Sequence, residues 1–336
     1  MSVVEAAVST KKNYITAIKE ALFEEMEMNP DMLCMGEDIG ILGGAFGATE
    51  GLQEKFGKER VYDMPISESC IVGAAMGAGL NGKTVMAEMQ FIDFIACGFD
   101  QIVNNLATLH YRSAGEAYAP VVLRGPAGGY GGGALYHSQM NEAWFCHSPG
   151  LKVVCPSTPT DAKGLLRASL RDKNPVIFYE VKELYRRRDL EEELPEGDYI
   201  VPLGQASIRR EGKDLTFVTY GQNVYHCLKA AEMLEEDGYD CEVIDIRTLV
   251  PLDEQTILES IKKTSRVVMM NEAPMTCGFA GELVARVCDK GFHYLDAPPA
   301  RVTRLDTPVP WAKPLENEAL PTVEDVYNKA LETLKF

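Results

Sequence analysis

Leu215-Thr-Phe-Val-Thr219, Cys241-Glu-Val-Ile-Asp-Ile246 and Val267-Val-Met-Met270 are short apolar runs, and residues 224–235 and 254–263 lie between them. The runs read as buried strands and the longer mixed segments as helices. The order is strand, helix, strand, helix, strand, which specifies an α/β fold with a parallel sheet. The same alternation continues towards the N-terminus. Ile15, Ile18, Leu22 and Met26 share one helical face, and residues 32–36 form a short apolar strand. A glycine-rich loop at 40–47 follows, then a small-residue helix over roughly 70–80 and a strand at 84–90. Phe94, Phe99, Ile102, Val103 and Leu106 lie near helical spacing. Val121-Val-Leu123 reads as a strand that ends in a second glycine loop, 125–133. A strand at 152–155, a helix at 161–171 and a strand at 176–179 close the first half.

Residues 185–204 break the pattern. They are charged and aperiodic (Arg186-Arg-Arg-Asp-Leu-Glu-Glu-Glu193), with Pro195 and Pro202. This predicts two parallel-sheet α/β domains, 1–190 and 204–336, joined by a linker at 191–203. A proline-rich return leads to a last helix. Thr322 and Asp325 resemble its capping box, and Val323, Tyr327, Ala330 and Leu334 its apolar stripe.

Composition agrees. A length of 336 residues suits two domains of about 150 each. With 46% hydrophobic and 25% charged residues, the chain is an ordinary globular one. Its net charge of −17 repels phosphate, which argues against nucleic acid and anionic membrane surfaces. No run reaches the ~18 apolar residues of a membrane helix. Met1-Ser-Val-Val-Glu5 lacks a basic end followed by an apolar run, so no signal peptide is expected. The nine Cys include no C-x-x-C pair, which predicts buried reduced thiols in a cytoplasmic protein.

Gly77-Ala-Gly-Leu-Asn-Gly-Lys83-Thr84 matches a phosphate-binding loop pattern, but that mechanism needs a strand before the loop and a helix after it. Here the predicted order is reversed, so a tight turn is expected. Gly129-Tyr-Gly-Gly-Gly-Ala134 fits a dinucleotide fingerprint without the acidic ribose partner about 20 residues on. It reads as a loop that approaches a ligand. His137 follows that loop in a polar cluster with Ser138 and Gln139; spacing alone leaves it a functional or a capping residue. Asp63-Met-Pro-Ile-Ser-Glu68 lies between a strand end and a helix start. Ligands bind at such places, although a carboxylate there is also a helix-dipole partner.

Several strings together carry a resemblance over nearly the whole chain. They are Met35-Gly-Glu-Asp-Ile39, Pro65-Ile-Ser-Glu68, Phe99-Asp-Gln-Ile102, Leu135-Tyr-His-Ser-Gln139, Pro149-Gly-Leu-Lys-Val-Val154, Asp161-Ala-Lys-Gly164 and Asp245-Ile-Arg-Thr248. The chain resembles the beta subunit of the thiamine-diphosphate-dependent, decarboxylating component of 2-oxoacid dehydrogenase complexes, of pyruvate, branched-chain or acetoin type. The resemblance implies a pyrimidine-binding domain followed by a transketolase C-terminal-like domain. It implies that Glu68 activates the cofactor through a pyrimidine ring nitrogen, because a carboxylic acid there favours the imino form that removes the C2 proton. It implies that Phe94 packs on the pyrimidine, that Gln90 lines the same region, and that His137 serves acyl transfer to a lipoyl group.

Thiamine enzymes usually hold magnesium and the diphosphate through Gly-Asp-Gly. This chain has none; Glu196-Gly-Asp198 and Glu236-Asp-Gly238 each lack one glycine. The resemblance therefore implies an alpha subunit that supplies magnesium and diphosphate binding within an α2β2 heterotetramer. It also implies a lipoyl-bearing acyltransferase partner and a structural potassium ion at Val121, Ser169, Leu170, Asp172 and Asn174, where turn chemistry alone also explains Asp172 and Asn174. Met64 stands where relatives commonly have Thr. The expected reaction is oxidative decarboxylation of a 2-oxo acid, with acetoin cleavage as the alternative and a non-catalytic paralogue as the remote one. The acidity predicts a basic docking face on an acyltransferase, with docking that weakens as salt rises.

Overall fold

In the computed structural model, residues 11–336 are described, and the reading of Met1–Glu5 lies outside them. Among the described residues, twelve strands form two sheets. The strands are β1 (Met32–Gly36), β2 (Val61–Asp63), β3 (Thr84–Glu88), β4 (Val121–Ala127), β5 (Lys152–Val154), β6 (Val176–Val181), β7 (Ser207–Arg210), β8 (Leu215–Thr219), β9 (Cys241–Asp245), β10 (Thr248–Val250), β11 (Val267–Pro274) and β12 (Ala300–Arg304). The first sheet has the order β10-β5-β6-β4-β3-β1-β2 and the second β12-β11-β8-β9-β7.

Both sheets are parallel except at one edge each. β7 lies antiparallel on β9, and β10 lies antiparallel on β5. β10 comes from the second half of the chain yet completes the first sheet. The central strands β4, β6 and β8 are buried along their whole length, as continuous apolar runs require. The larger apolar core takes residues from both halves, among them Leu123 of β4 and Tyr220, Ile244 and Leu249 beyond the linker.

Ion pairs reinforce that seam. Asp161, at the start of the helix Pro159–Leu170, is bound by Arg209 and Arg247, and Arg209 also reaches Asp245 at 3.0 Å. The charged connection is not a loose tether. Arg167 donates to the Tyr199 carbonyl at 3.2 Å and pairs with Asp198, while the Glu192 carboxylate accepts the Thr160 N–H at 3.0 Å.

The helix Tyr14–Met28 buries Ile15, Ile18, Leu22 and Met26, and the Asn13 side chain caps it through Thr16 N. Three expectations need correction. The 94–110 segment is helical but irregular: a 3₁₀ stretch at Ile92–Gly98 is followed by a wide π turn at Gln101–Leu106. The last helix, Val323–Leu334, has its Thr322/Asp325 capping box, but its buried side chains are Val326, Ala330 and Thr333. The packed face is wider than the predicted stripe: Ala330 is fully buried, Val323, Tyr327 and Leu334 pack partly buried on the same core, and Val326 and Thr333 extend it. The cysteines are not uniformly buried: Cys34, Cys155, Cys227 and Cys241 are, whereas Cys70, Cys97 and Cys277 are exposed. The phosphate-loop match resolves as expected into a helix, Glu68–Leu80, a turn and then β3.

Candidate active site

β4, β3, β1 and β2 lie side by side and run parallel, so their C-terminal ends share one edge of the sheet. Ligands collect at that edge in open α/β sheets. β1 delivers Glu37 and Asp38. β2 leads through Pro65-Ile-Ser67 to Glu68, the first residue of the helix Glu68–Leu80. β3 delivers Gln90, Phe91, Asp93 and Phe94, and β4 leads through the glycine loop to His137.

Glu68 is half-buried, and Glu37 is 6% exposed with Oε1 lacking any partner. Burial, then the neighbouring charges of Glu68 and Asp38, push the Glu37 carboxyl above its ordinary value. The Cys97 thiol is raised by desolvation and by the charges of the same pair, Glu68 and Glu37. Gly98 lets the 3₁₀ stretch approach the helix that Glu68 opens: a Cβ there would come 3.3 Å from the Glu68 carbonyl oxygen and 3.0 Å from Val72 Cγ2. Gln90 Nε2 donates to Asp38 Oδ2 at 3.4 Å.

The opposite wall is aromatic. Phe91 meets the His137 ring edge-on at 4.4 Å, and Phe94 meets it at 5.6 Å. Phe46 packs on Phe91 at 5.6 Å. One oxygen of Asp93 accepts the N–H groups of Ser138 and Gln139, each at 3.0 Å, and fixes the backbone beside His137. Its other oxygen has no partner, and burial raises the carboxyl.

Beneath the site lies a buried charge cluster. Arg124 is 1% exposed and stands directly opposite Glu88 in the β3–β4 register. It pairs with Glu88 and forks onto Glu180, whose Oε2 also accepts the Tyr185 hydroxyl at 2.7 Å. Burial works against the guanidinium charge, but Glu180 and Glu88 outweigh it and raise the Arg124 pKa.

The structure thus brings together Glu68, Gln90, Phe94 and His137 at one edge. The potassium candidates lie elsewhere, at the end of the helix Pro159–Leu170 and the adjoining start of β4. The Ser169 carbonyl there accepts the Asp172 N–H at 3.2 Å. Asp172 pairs with Lys152 and accepts the Asn174 N–H at 2.9 Å. A cation at that turn would share Asp172 with the Lys152 ammonium. Among the described residues, no group of three or more His, Cys, Asp or Glu is placed to hold a metal ion.

Residues that sequence reasoning missed are Glu37, Asp38, Phe91 and Asp93. An acidic pair directly after a predicted strand is the available signal for the first two. Phe91 and Asp93 carry none, because only the turn into the 3₁₀ stretch aims both at the loop holding His137.

From the second half, Glu272 reaches this loop and accepts the Gly129 N–H at 2.5 Å. Burial pushes its carboxyl from the ordinary 4.5 up to about 7. The folded chain therefore holds this proton more tightly than the unfolded one. Stability from this group is complete below pH 4.5 and is lost as pH rises through 7. Glu272→Gln should flatten that loss by on the order of 3 kcal/mol. Denaturant midpoints of both chains between about pH 5 and 8 check it, and parallel curves would contradict it.

Comparison with known proteins agrees with the geometry. The family model described as transketolase, pyrimidine binding domain, matches residues 10–188, and that of the transketolase C-terminal domain matches 204–326. The chain is 46% identical over 305 residues to the 2-oxoisovalerate dehydrogenase subunit beta of Bacillus subtilis (strain 168), covering 90% of this chain and 93% of that one. The chain belongs to the beta subunits of 2-oxoacid dehydrogenase E1 components. Another such beta subunit, the pyruvate dehydrogenase E1 component subunit beta of Staphylococcus aureus (strain COL), is 44% identical over 322 residues, covering 96% and 98%. The E1 beta fold is also that of a solved "Split gene transketolase, inactive beta4 tetramer", with a TM-score of 0.77 at 23% identity over 96% of this chain and 98% of that one. No helix among the described residues of this E1 beta chain is long and apolar enough to cross a membrane.

Proposed function

We propose that this chain supplies the pyrimidine-binding half of a thiamine diphosphate site in a heteromeric E1 component. The complex oxidatively decarboxylates a 2-oxo acid, pyruvate or a branched-chain one, and passes the acyl group to a lipoyl group on a partner acyltransferase. The observation that carries this reading is the sheet edge where Glu68 and the unpartnered Glu37 lie together near an aromatic wall of Phe91, Phe94 and His137. A flat heteroaromatic ring with a basic nitrogen fits that set: aromatic faces to stack on and a carboxyl to hydrogen-bond.

When bound, thiamine diphosphate would supply a nucleophilic carbon to add to the 2-oxo group and a cationic ring to accept the electron pair left as carbon dioxide departs. Glu68 holds a proton at the pyrimidine ring nitrogen. Glu37 adds a second acid to that edge, and burial with the neighbouring charge of Glu68 raises its own carboxyl. Phe91 and Phe94 exclude water from the ring. His137 moves a proton to or from the acyl acceptor at the mouth of the site. An alpha subunit brings magnesium and the diphosphate contacts within an α2β2 assembly, since this chain has no Gly-Asp-Gly. A potassium ion among Val121, Ser169, Leu170, Asp172 and Asn174 would be a structural brace outside the reaction.

Reconstitution tests this reading. The chain alone should be inactive. With its alpha partner, thiamine diphosphate and magnesium, it should reduce an artificial electron acceptor on addition of pyruvate or 2-oxoisovalerate. Preference for acetoin over every 2-oxo acid, or no thiamine-dependent turnover, would overturn the proposal.

A further inference from the structure

The glycine loop that carries His137 has an unusual backbone. Gly128 and Gly132 have φ of 86° and 70°. Two residues with side chains, Tyr130 at 66° and Ala134 at 55°, also lie in the left-handed region. A residue with a Cβ is strained there and stays only where its surroundings enforce it. The enforcing contacts come from beyond the linker. Glu272 Oε1 accepts the Gly129 N–H at 2.5 Å, and Glu316 Oε1 accepts the Gly132 N–H at 3.0 Å. The Tyr130 hydroxyl donates to the Pro321 carbonyl at 2.8 Å, and Lys313 Nζ donates to the Tyr130 carbonyl at 2.7 Å. Both carboxylates are buried, Glu316 fully.

The loop also closes on itself. Gly128 N donates to the Gln139 carbonyl at 3.1 Å, and a Cβ on Gly133 would stand 2.5 Å from the His137 carbonyl oxygen. A shift at Gly129 or Gly132 therefore reaches His137 within a few bonds. A buried carboxylate is costly unless it is hydrogen-bonded. Among the bonds that satisfy Glu272 and Glu316 are the two that hold this loop.

We infer that Glu272 and Glu316 are positioning residues: by gripping the Gly129 and Gly132 amides, the C-terminal half sets where His137 stands. This rests on the proposed role of His137 in acyl transfer. The test uses the chain assembled with its alpha partner and loaded with thiamine diphosphate and magnesium. Variants are Glu272→Ala, Glu316→Ala, the matching Gln changes, Tyr130→Phe and His137→Ala. In the two Ala variants, amide exchange over residues 128–139 should rise at least about tenfold, and acyl transfer to a free lipoyl domain should fall about 10- to 100-fold. Decarboxylation read with an artificial acceptor should stay within about threefold, because the loss is confined to one step rather than spread over the whole fold. The Gln variants keep an acceptor for each amide and should recover both readouts. Tyr130→Phe removes no charge and should loosen the loop without disturbing assembly.

Unchanged exchange in the Ala variants and in Tyr130→Phe would overturn the inference. So would Gln variants as impaired as Ala, or decarboxylation that falls in step with acyl transfer. If exchange rises as expected but His137→Ala leaves acyl transfer intact, the role of His137 fails while the grip on the loop stands.

Discussion

Glu68→Gln should give a folded chain that still binds its alpha partner but has lost thiamine-dependent decarboxylation. Positioned proton transfer is worth roughly 10²- to 10⁴-fold, and the amide cannot hold a proton for the pyrimidine nitrogen as a carboxyl does. Folding should survive, because Glu68 is half-buried and sits at a helix start, where a carboxylate contributes only about 0.3–1 kcal/mol. Reduction of an artificial acceptor by the reconstituted variant, with circular dichroism as the control, decides it. Full activity in Glu68→Gln would remove Glu68 from the mechanism.

The second large effect is on stability. Arg124→Met would leave Glu88 and Glu180 buried at 2% and 0% exposure without their cation. Breaking a buried ion pair from one side costs about 3–5 kcal/mol. Unfolding entropy grows with chain length, so in a chain this long that loss lowers the melting temperature by roughly 5 °C. Combining Arg124→Met with Glu88→Gln and Glu180→Gln should restore most of it, because no uncompensated charge then remains. A calorimetric scan of the parent and both variants checks the two halves. An Arg124→Met chain as stable as the parent would refute the account.

Legibility in the sequence follows distance along the chain. The run 215–270 declares its strands and helices because each depends on local apolar pattern. The Thr322/Asp325 cap is legible for the same reason, since both halves of its hydrogen-bond exchange lie within one turn. Glu68 and His137 are visible through short motifs, and Phe94 only through the resemblance those motifs carry. Their meeting is not, because parallel strand order, which no local pattern states, brings their loops to one edge. Glu37 stands within a motif string, but its part depends on standing beside Glu68, which is a matter of geometry. Glu272 and Glu316 lie more than a hundred residues from the amides they hold, and nothing near them in the sequence announces it. The last helix differs for another reason. Tyr327 packs on the second core but sends its hydroxyl out to Asp237 at 2.5 Å, so hydropathy marks a residue that is covered only in part.

β10 is three residues long, follows β9 after Ile246 and Arg247, and is stitched onto β5 across the boundary between the halves. A protease that nicks the charged connection would therefore cut the chain without releasing either piece. The piece beginning beyond the nick would still be clasped by the edge of the first sheet. The two halves are better regarded as a single body with a seam than as beads on a string, and expressed separately, each would show a raw edge where the other belongs.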